Sequence, residues 1–171
     1  CIADANGVIP PQLQNEADWA YFQARLDPTR AVLVGRGAHE ATPNTAGRVR
    51  IIMSRSSTGL QQRADGWWWN PDGMTLTDML AVVVPSGGEI GVPGGRGPFD
   101  YLLKTRTLDA FHLSRVPGLR LPGGVPVFSA CEQGETAASA LVEAGLEAWP
   151  ERALDPAAGV TLTVWQRPAR Q

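Results

Sequence analysis

The chain has 171 residues, 43% of them apolar and 19% charged, and its 17 acidic and 15 basic side chains leave a formal net charge of −2. This composition fits a single domain over residues 1–171 with a substantial core. It excludes a disordered chain and one carrying the basic footprint of a nucleic-acid binder. Two cysteines, Cys1 and Cys131, and two histidines, His39 and His112, lack metal-ligand spacing, so neither a disulfide framework nor a metal site is expected.

In chain order, Cys1-Ile2-Ala3 reads as the tail of a first strand, followed by an Ala5-Asn6-Gly7 turn, Val8-Ile9 and a Pro10-Pro11 break. The absence of an opening signal-peptide pattern makes a cytoplasmic location the expectation, with no membrane association. A helix is predicted from Asn15, where Trp19, Phe22 and Leu26 recur at i, i+3 and i+7 as an apolar stripe, and Asp27-Pro28 closes it. Strands are predicted at 31–34 and 49–53. The stretch 54–70 is polar and poorly patterned apart from Trp67-Trp68-Trp69, which suits a strand or a packing cluster and, given the acidic net charge, not a base-stacking platform.

A helix at 75–81, a strand at 89–92 and a helix at 98–104 follow, with Pro98 suited to a first helical turn. Beyond them 107–116 and 160–167 read as strands, 121–128 as an irregular connection, and 135–145 as a short helix that Gly145 stops. Alternation of strand and helix early in the chain and strands late in it predicts an α/β fold, with a mostly parallel central sheet, flanking helices and a C-terminal antiparallel hairpin.

Two glycine turns stand out in this layout. Gly35-Arg36-Gly37 follows the apolar run 31–34, and Gly94-Gly95-Arg96-Gly97 follows 89–93, so each places small residues and an arginine at a strand end, where phosphate can be met. Neither is a Rossmann fingerprint, because the third glycine is missing both times, and neither continues into Gly-Lys-Ser/Thr as a P-loop would. Taken singly, each turn equally suits a tight strand-to-helix connection.

Together, Val34-Gly35-Arg36-Gly37-Ala38-His39-Glu40, Gly47-Arg48-Val49-Arg50-Ile51-Ile52-Met53-Ser54-Arg55 and Gly94-Gly95-Arg96 resemble the dihydrofolate reductase superfamily over nearly the whole chain. The segment 119–128 is more similar to the riboflavin-pathway reductases (the RibD C-terminal type), whereas Asp18-Trp19-Ala20-Tyr21-Phe22 looks more like dihydrofolate reductase proper. The resemblance implies a three-layer fold and hydride transfer from NADPH to a carbon–nitrogen double bond, with a proton delivered to the nitrogen. It implies as substrate a dihydropterin, either dihydrofolate or dihydromethanopterin, and a monomer or homodimer acting on small molecules alone.

Asp18 matches the family's acid, whose carboxylate would hold the 2-amino and ring N–H edge of a pterin and favour protonation of the imine nitrogen. Local sequence offers a second reading: with Asn15 as N-cap, Asp18 is at N3, where an acid suits the helix dipole. The resemblance places Ile9, Phe22, Val92 and Ser114 around the substrate, Ser114 as the hydroxyl linked to the acid, and Arg48 on the carboxylate of a folate tail. Gly35, Arg36, Gly37, Ser54, Arg55, Gly94, Gly95, Arg96 and Gly97 match cofactor positions. Arg36, Ser54 and Arg55 would converge on its phosphates and choose NADPH over NADH.

Two departures matter. Ala38 stands where the family often has a histidine or threonine that adds a phosphate contact. Pro93 replaces a glycine of a run that commonly holds a cis peptide, leaving Val92–Pro93 as the bond able to be cis by the proline route. His39, His112 and Cys131 receive no role. Two other functions remain open: a riboflavin-pathway reductase acting on a ribosylaminopyrimidine, in which Asp18 need not touch the ring, and a pterin- or nucleotide-binding domain without turnover.

Overall fold

The structure, a computed structural model, describes residues 2–168, so the Cys1 end of the expected first strand lies outside the described residues. The chain forms two compact units, one spanning Gln23–Pro98 and the other assembled from the chain before and after it.

The first unit is built on a five-stranded sheet. Its centre is β1 (Ala31–Gly35), four residues of which are buried, as expected for a strand covered on both faces. Beside it lie β2 (Arg50–Met53), where Ile51 and Ile52 are fully buried, and then β4 (Gly66–Trp69). On the other side is the short β5 (Ile90–Gly91). These four are parallel, and β3 (Leu60–Arg63) is the antiparallel edge, in the order β3-β4-β2-β1-β5.

The tryptophan triplet is therefore a strand. Trp69 is fully buried and donates its indole N–H to the Met74 carbonyl at 2.9 Å, while Trp68 donates to Asp65 Oδ1 at 2.9 Å. Strand β3 was not foreseen, because its side chains are mostly exposed and polar. A signal for it exists in Asp65-Gly66: Arg63 pairs with Gly66 across the two-residue turn Ala64-Asp65. Gly66 has φ +143°, and a Cβ there would sit 2.8 Å from the Arg50 carbonyl oxygen, so only glycine lets β4 begin alongside β2.

Helix α2 (Arg36–Ala41) follows β1 without a loop, and α3 (Leu76–Val83) links β4 to β5. Thr75 caps α3, its hydroxyl accepting the Asp78 N–H at 3.1 Å. Val92–Pro93 is trans, as is every peptide bond among the described residues.

The second unit carries the antiparallel sheet. Strand β9 (Val160–Gln166) is its centre, with β6 (Ala110–Arg115) along one side and β7 (Glu147–Ala148) and β8 (Arg152–Asp155) along the other. Four strands thus stand where the sequence suggested a hairpin. The two extra ones are short and largely exposed, so no alternation marks them. Phe99, Phe111 and Phe128 pack edge-on or tilted at centroid separations of 5.2–6.1 Å, and Leu141, Leu146 and Leu162 complete this core.

Helix α4 (Arg96–Lys104) begins two residues before the expected Pro98, which still lies in its first turn. Helix α5 (Ala137–Glu143) starts with a Thr136/Ser139 capping box and is followed by Gly145 at φ +84°. Helix α1 (Glu16–Leu26) begins in this unit and corrects one expectation. Trp19 is 62% exposed, and only Leu26 of the proposed stripe is buried. The helix has an apolar rhythm but seats its first turns by other means, described below. Among the described residues, no helix is long and apolar enough to cross a membrane, and no group of three potential ligand side chains could hold a metal ion.

Asp65 joins several elements of the parallel-sheet unit, since its carboxylate meets both Trp68 of β4 and, at 3.0 Å, Nε2 of His39 in α2. The Trp68 indole first, then His39, hold the Asp65 carboxyl below its ordinary value of 3.8. A carboxylate whose pKa is depressed by folding stabilises the fold above its ordinary pKa, and that contribution disappears as pH falls through the depressed value. Asp65→Asn should therefore lower the melting temperature at pH 7, and the gap to the unsubstituted protein should narrow as the pH is taken below the ordinary carboxyl value of 3.8. Melting curves above and below that pH check this; a gap that is constant with pH would contradict it.

Candidate functional site

Because β1, β2, β4 and β5 run the same way, their carboxyl ends collect on one edge of the sheet. Gly35 is in register with Met53, which is in register with Trp69, so Arg36, Ser54 and Asn70 leave the sheet side by side. The chain passes from β1 to β2 on one side through α2, and returns to β5 on the other side through α3. The strand order thus reverses between β1 and β5. In open parallel sheets, the carboxyl end of such a reversal is where ligands bind.

Both glycine turns lie there. A Cβ on Gly35 would be 3.5 Å from Pro98 Cδ, and one on Gly95 would be 3.4 Å from the same atom and 3.7 Å from the Gly35 nitrogen. Two turns that are distant in sequence therefore touch across the Pro98 ring. Gly95 has φ +104°, a conformation that side chains rarely adopt. Around Gly37 and Gly94 no atom lies within 4 Å of an added Cβ, which leaves their backbone open to a ligand. Gly97, in the first turn of α4, would meet only Met53 Cε at 3.4 Å, and Val92 is half-buried just after β5.

The charged groups of this edge are already partnered in part. Arg36 opens α2, and its Nε donates to Glu40 at 2.7 Å with both side chains more than half exposed. Arg96 opens α4. Ser54 ties its backbone N–H to the Trp69 carbonyl at 2.9 Å and pairs its hydroxyl with that of Ser56, also at 2.9 Å, while Arg55 is exposed. Arg48 lies before β2, at the opposite edge of the sheet from Ser54. It donates to Asp27 at 2.8 Å and to Gln23 at 3.3 Å.

The other functional cluster lies in the antiparallel-sheet unit. Asn15 caps α1, its side-chain oxygen accepting the Asp18 N–H at 3.0 Å, so Asp18 does occupy N3. Its side chain is nonetheless engaged elsewhere: the half-buried carboxylate accepts a 2.5 Å hydrogen bond from the Ser114 hydroxyl on β6. The two sequence readings of Asp18 are compatible, one concerning its backbone and the other its side chain. Phe22, one turn on, is half-buried and stacks on Trp19 with centroids 5.4 Å apart, whereas Ile9 is 58% exposed in the loop before Pro10.

The sequence reading missed Tyr21 and His112, which share a 2.6 Å hydrogen bond through the imidazole Nδ1. Their spacing carries a signal. Asp18 and Tyr21 are three apart on a helix, and His112 and Ser114 are two apart on a strand, so each pair shares a face. Asn15 also donates to Asp155 at 2.8 Å, and this bond, with the backbone N–H groups of Ala158 and Ala157, lowers the Asp155 pKa from its ordinary value.

No protein-family model matches the chain, and no curated protein matches it. Solved structures do. A protein from Shewanella sp. PV-4 assigned to riboflavin biosynthesis superposes with a TM-score of 0.59 at 20% identity, over 98% of this chain and 92% of that one. The Thermotoga maritima diaminohydroxyphosphoribosylaminopyrimidine deaminase/5-amino-6-(5-phosphoribosylamino)uracil reductase gives 0.61 at 15% identity, over 98% of this chain and 53% of that one, so this chain spans about half its length. At such identities the likeness establishes the fold: the mixed α/β fold of these two structures, of the class that the dihydrofolate reductase resemblance implies.

Proposed function

We propose that the chain is an NADPH-dependent reductase that converts a dihydropterin to its tetrahydro form by reducing a C=N bond, with Asp18 holding the pterin. The observation that carries this reading is the Asp18–Ser114 pair. A carboxylate presents only acceptors, and an aminopyrimidine or pterin edge presents an amino group and a ring N–H side by side, so the two are complementary. A uracil's N3–H lies between two carbonyl acceptors, which a carboxylate would repel, so a 6-aminouracil could meet Asp18 only through its N1–H and exocyclic N–H. Ser114 donates to one carboxylate oxygen and leaves acceptor capacity for the ligand.

NADPH supplies the hydride. The parallel-sheet edge fits such a dinucleotide on two counts, the open backbone at Gly37 and Gly94 and the phosphate-matching guanidiniums of Arg36 and Arg55. The Glu40 carboxylate on Arg36 opposes an incoming phosphate only weakly, because an exposed i, i+4 ion pair is worth about 0.3–0.5 kcal/mol and a bidentate arginine–phosphate contact exceeds it. Within the substrate cluster, Asp18 orients the ring and favours a proton on the imine nitrogen, and Phe22 supplies a ring wall. Arg48 is already neutralised by Asp27, so a folate-tail carboxylate adds modest selectivity.

A second reading is favoured by the fold likeness to two riboflavin-pathway structures: reduction of a ribosylaminopyrimidine. NADPH oxidation followed with dihydrofolate, dihydromethanopterin and the riboflavin-pathway pyrimidine separates the two readings. Turnover of only the pyrimidine would overturn the pterin assignment, and no NADPH oxidation with any of them would favour a domain that binds without turnover.

Two substitutions test the roles. Asp18→Asn should leave the Kd for NADPH nearly unchanged and reduce kcat with the dihydropterin by about 10²- to 10⁴-fold, whereas unchanged turnover removes Asp18 from the chemistry. Arg36→Ala should weaken NADPH by about tenfold more than NADH, and Glu40→Gln should tighten NADPH by about twofold by freeing the guanidinium. Equal losses for the two nucleotides, measured by fluorescence titration, would sink the phosphate assignment.

A further inference from the structure

The first two turns of α1 are poor in the apolar burial that normally seats a helix. Leu26, at the far end, is its buried residue, and Trp19 is exposed. Polar contacts hold this end instead. Asn15 reaches Asp155 of β8, Asp18 accepts from Ser114 of β6, Tyr21 bonds His112 of β6, and the Arg152 guanidinium of β8 lies 5.1 Å from the Tyr21 ring centroid. Asp18 meets Ser114 and Tyr21 meets His112, so the helix runs antiparallel to β6 with two rungs between them. The Asn15–Asp155 and Asp18–Ser114 contacts define a line about which the helix could still roll, and the Tyr21–His112 rung one turn further on fixes that roll.

From this we infer that Tyr21 and His112 are a positioning pair for Asp18: their hydrogen bond fixes the roll of α1 that keeps the Asp18 carboxylate on Ser114 and facing the ligand. The inference rests on the reading of Asp18 as the carboxylate that meets a pterin. Neither Tyr21 nor His112 need touch substrate. Their influence passes through the placement of one carboxylate, and displacement of such a group by about 1 Å costs up to about 10²-fold in rate.

The test is a mutant cycle read by kinetics and crystallography. Tyr21→Phe and His112→Leu should each lower kcat with dihydropterin by about tenfold, with KM for NADPH unchanged. His112→Gln, whose amide oxygen can accept the phenol proton, should recover most of the loss. Combined with Asp18→Asn, neither Tyr21→Phe nor His112→Leu should lower kcat further, because the pair acts only through Asp18. A further loss in the Asp18→Asn background would mark a general structural role and overturn the inference.

Crystal structures of Tyr21→Phe and His112→Leu give a readout independent of turnover. The Asp18 carboxylate should have left Ser114, and a retained 2.5 Å contact would overturn the inference. Should His112→Leu fail to fold, Tyr21→Phe, which removes a single oxygen, carries both readouts. If the unsubstituted protein reduced no dihydropterin, the functional reading would fall, and the crystal structures would still decide whether the rung positions Asp18.

Discussion

The approach of Gly35 and Gly95 across the ring of Pro98 is the constraint on which the parallel-sheet edge depends. It requires three things at once: a glycine ending β1, a glycine at positive φ after β5, and a proline in the first turn of α4, where a missing N–H costs nothing. Because β1 and β5 are parallel neighbours, with Ala31 opposite Ile90 and Val32 opposite Gly91, their ends must converge, and a side chain at either turn would have to be accommodated against the neighbouring one. The bland reading of these glycines as mere turn formers and the functional reading as a ligand cradle describe the same geometry. Removal of side chains lets two strand ends meet and leaves backbone exposed at the point where the strand order reverses.

What was legible in the sequence divides along physical lines. Strands buried on both faces were read within one residue at their ends, because 31–34 is a continuous apolar run and 49–53 is apolar apart from Arg50. Gly145 made the end of the helix read at 135–145 legible, whereas the caps Thr75 of α3 and Thr136 of α5 were found only in the structure. Strands β3, β7 and β8 escaped because each is short and exposed, and is set by pairing with a distant strand rather than by any local pattern. Trp19 misled for the opposite reason. Its spacing with Phe22 and Leu26 is that of a buried face, yet its ring is spent on stacking with Phe22 near the surface.

The proposed substrate cluster shows the same division. Asp18 and Ser114 were found through resemblance alone, since 96 residues separate them and nothing local links an N3 carboxylate to a strand hydroxyl. Tyr21 and His112 were passed over because Tyr21 was noticed only as part of the segment 18–22, and His112 was set aside for lack of metal-ligand spacing. The pairing becomes visible only when helix and strand periods are laid side by side: a step of three on one and a step of two on the other bring both pairs into register.

Ligand recognition in the parallel-sheet unit has a further consequence of composition. With a net charge of −2 the chain offers no broad positive field, and three of its arginines, Arg25, Arg36 and Arg48, already face carboxylates of the same unit at Glu89, Glu40 and Asp27. At Arg36 an anion would exchange one partner for another and would not neutralise a free charge. The gain is then a difference between two contacts, and geometry rather than charge decides it. A fork-shaped guanidinium that meets a carboxylate through one nitrogen, as Arg36 meets Glu40, has more to gain from a phosphate offering several oxygens. Arg48 has less to gain, because it already divides its donors between Asp27 and Gln23 and is the less exposed of the two. For the proposed nucleotide site, this exchange makes selectivity at Arg36 depend on the phosphate's shape and number of oxygens and not on its charge alone.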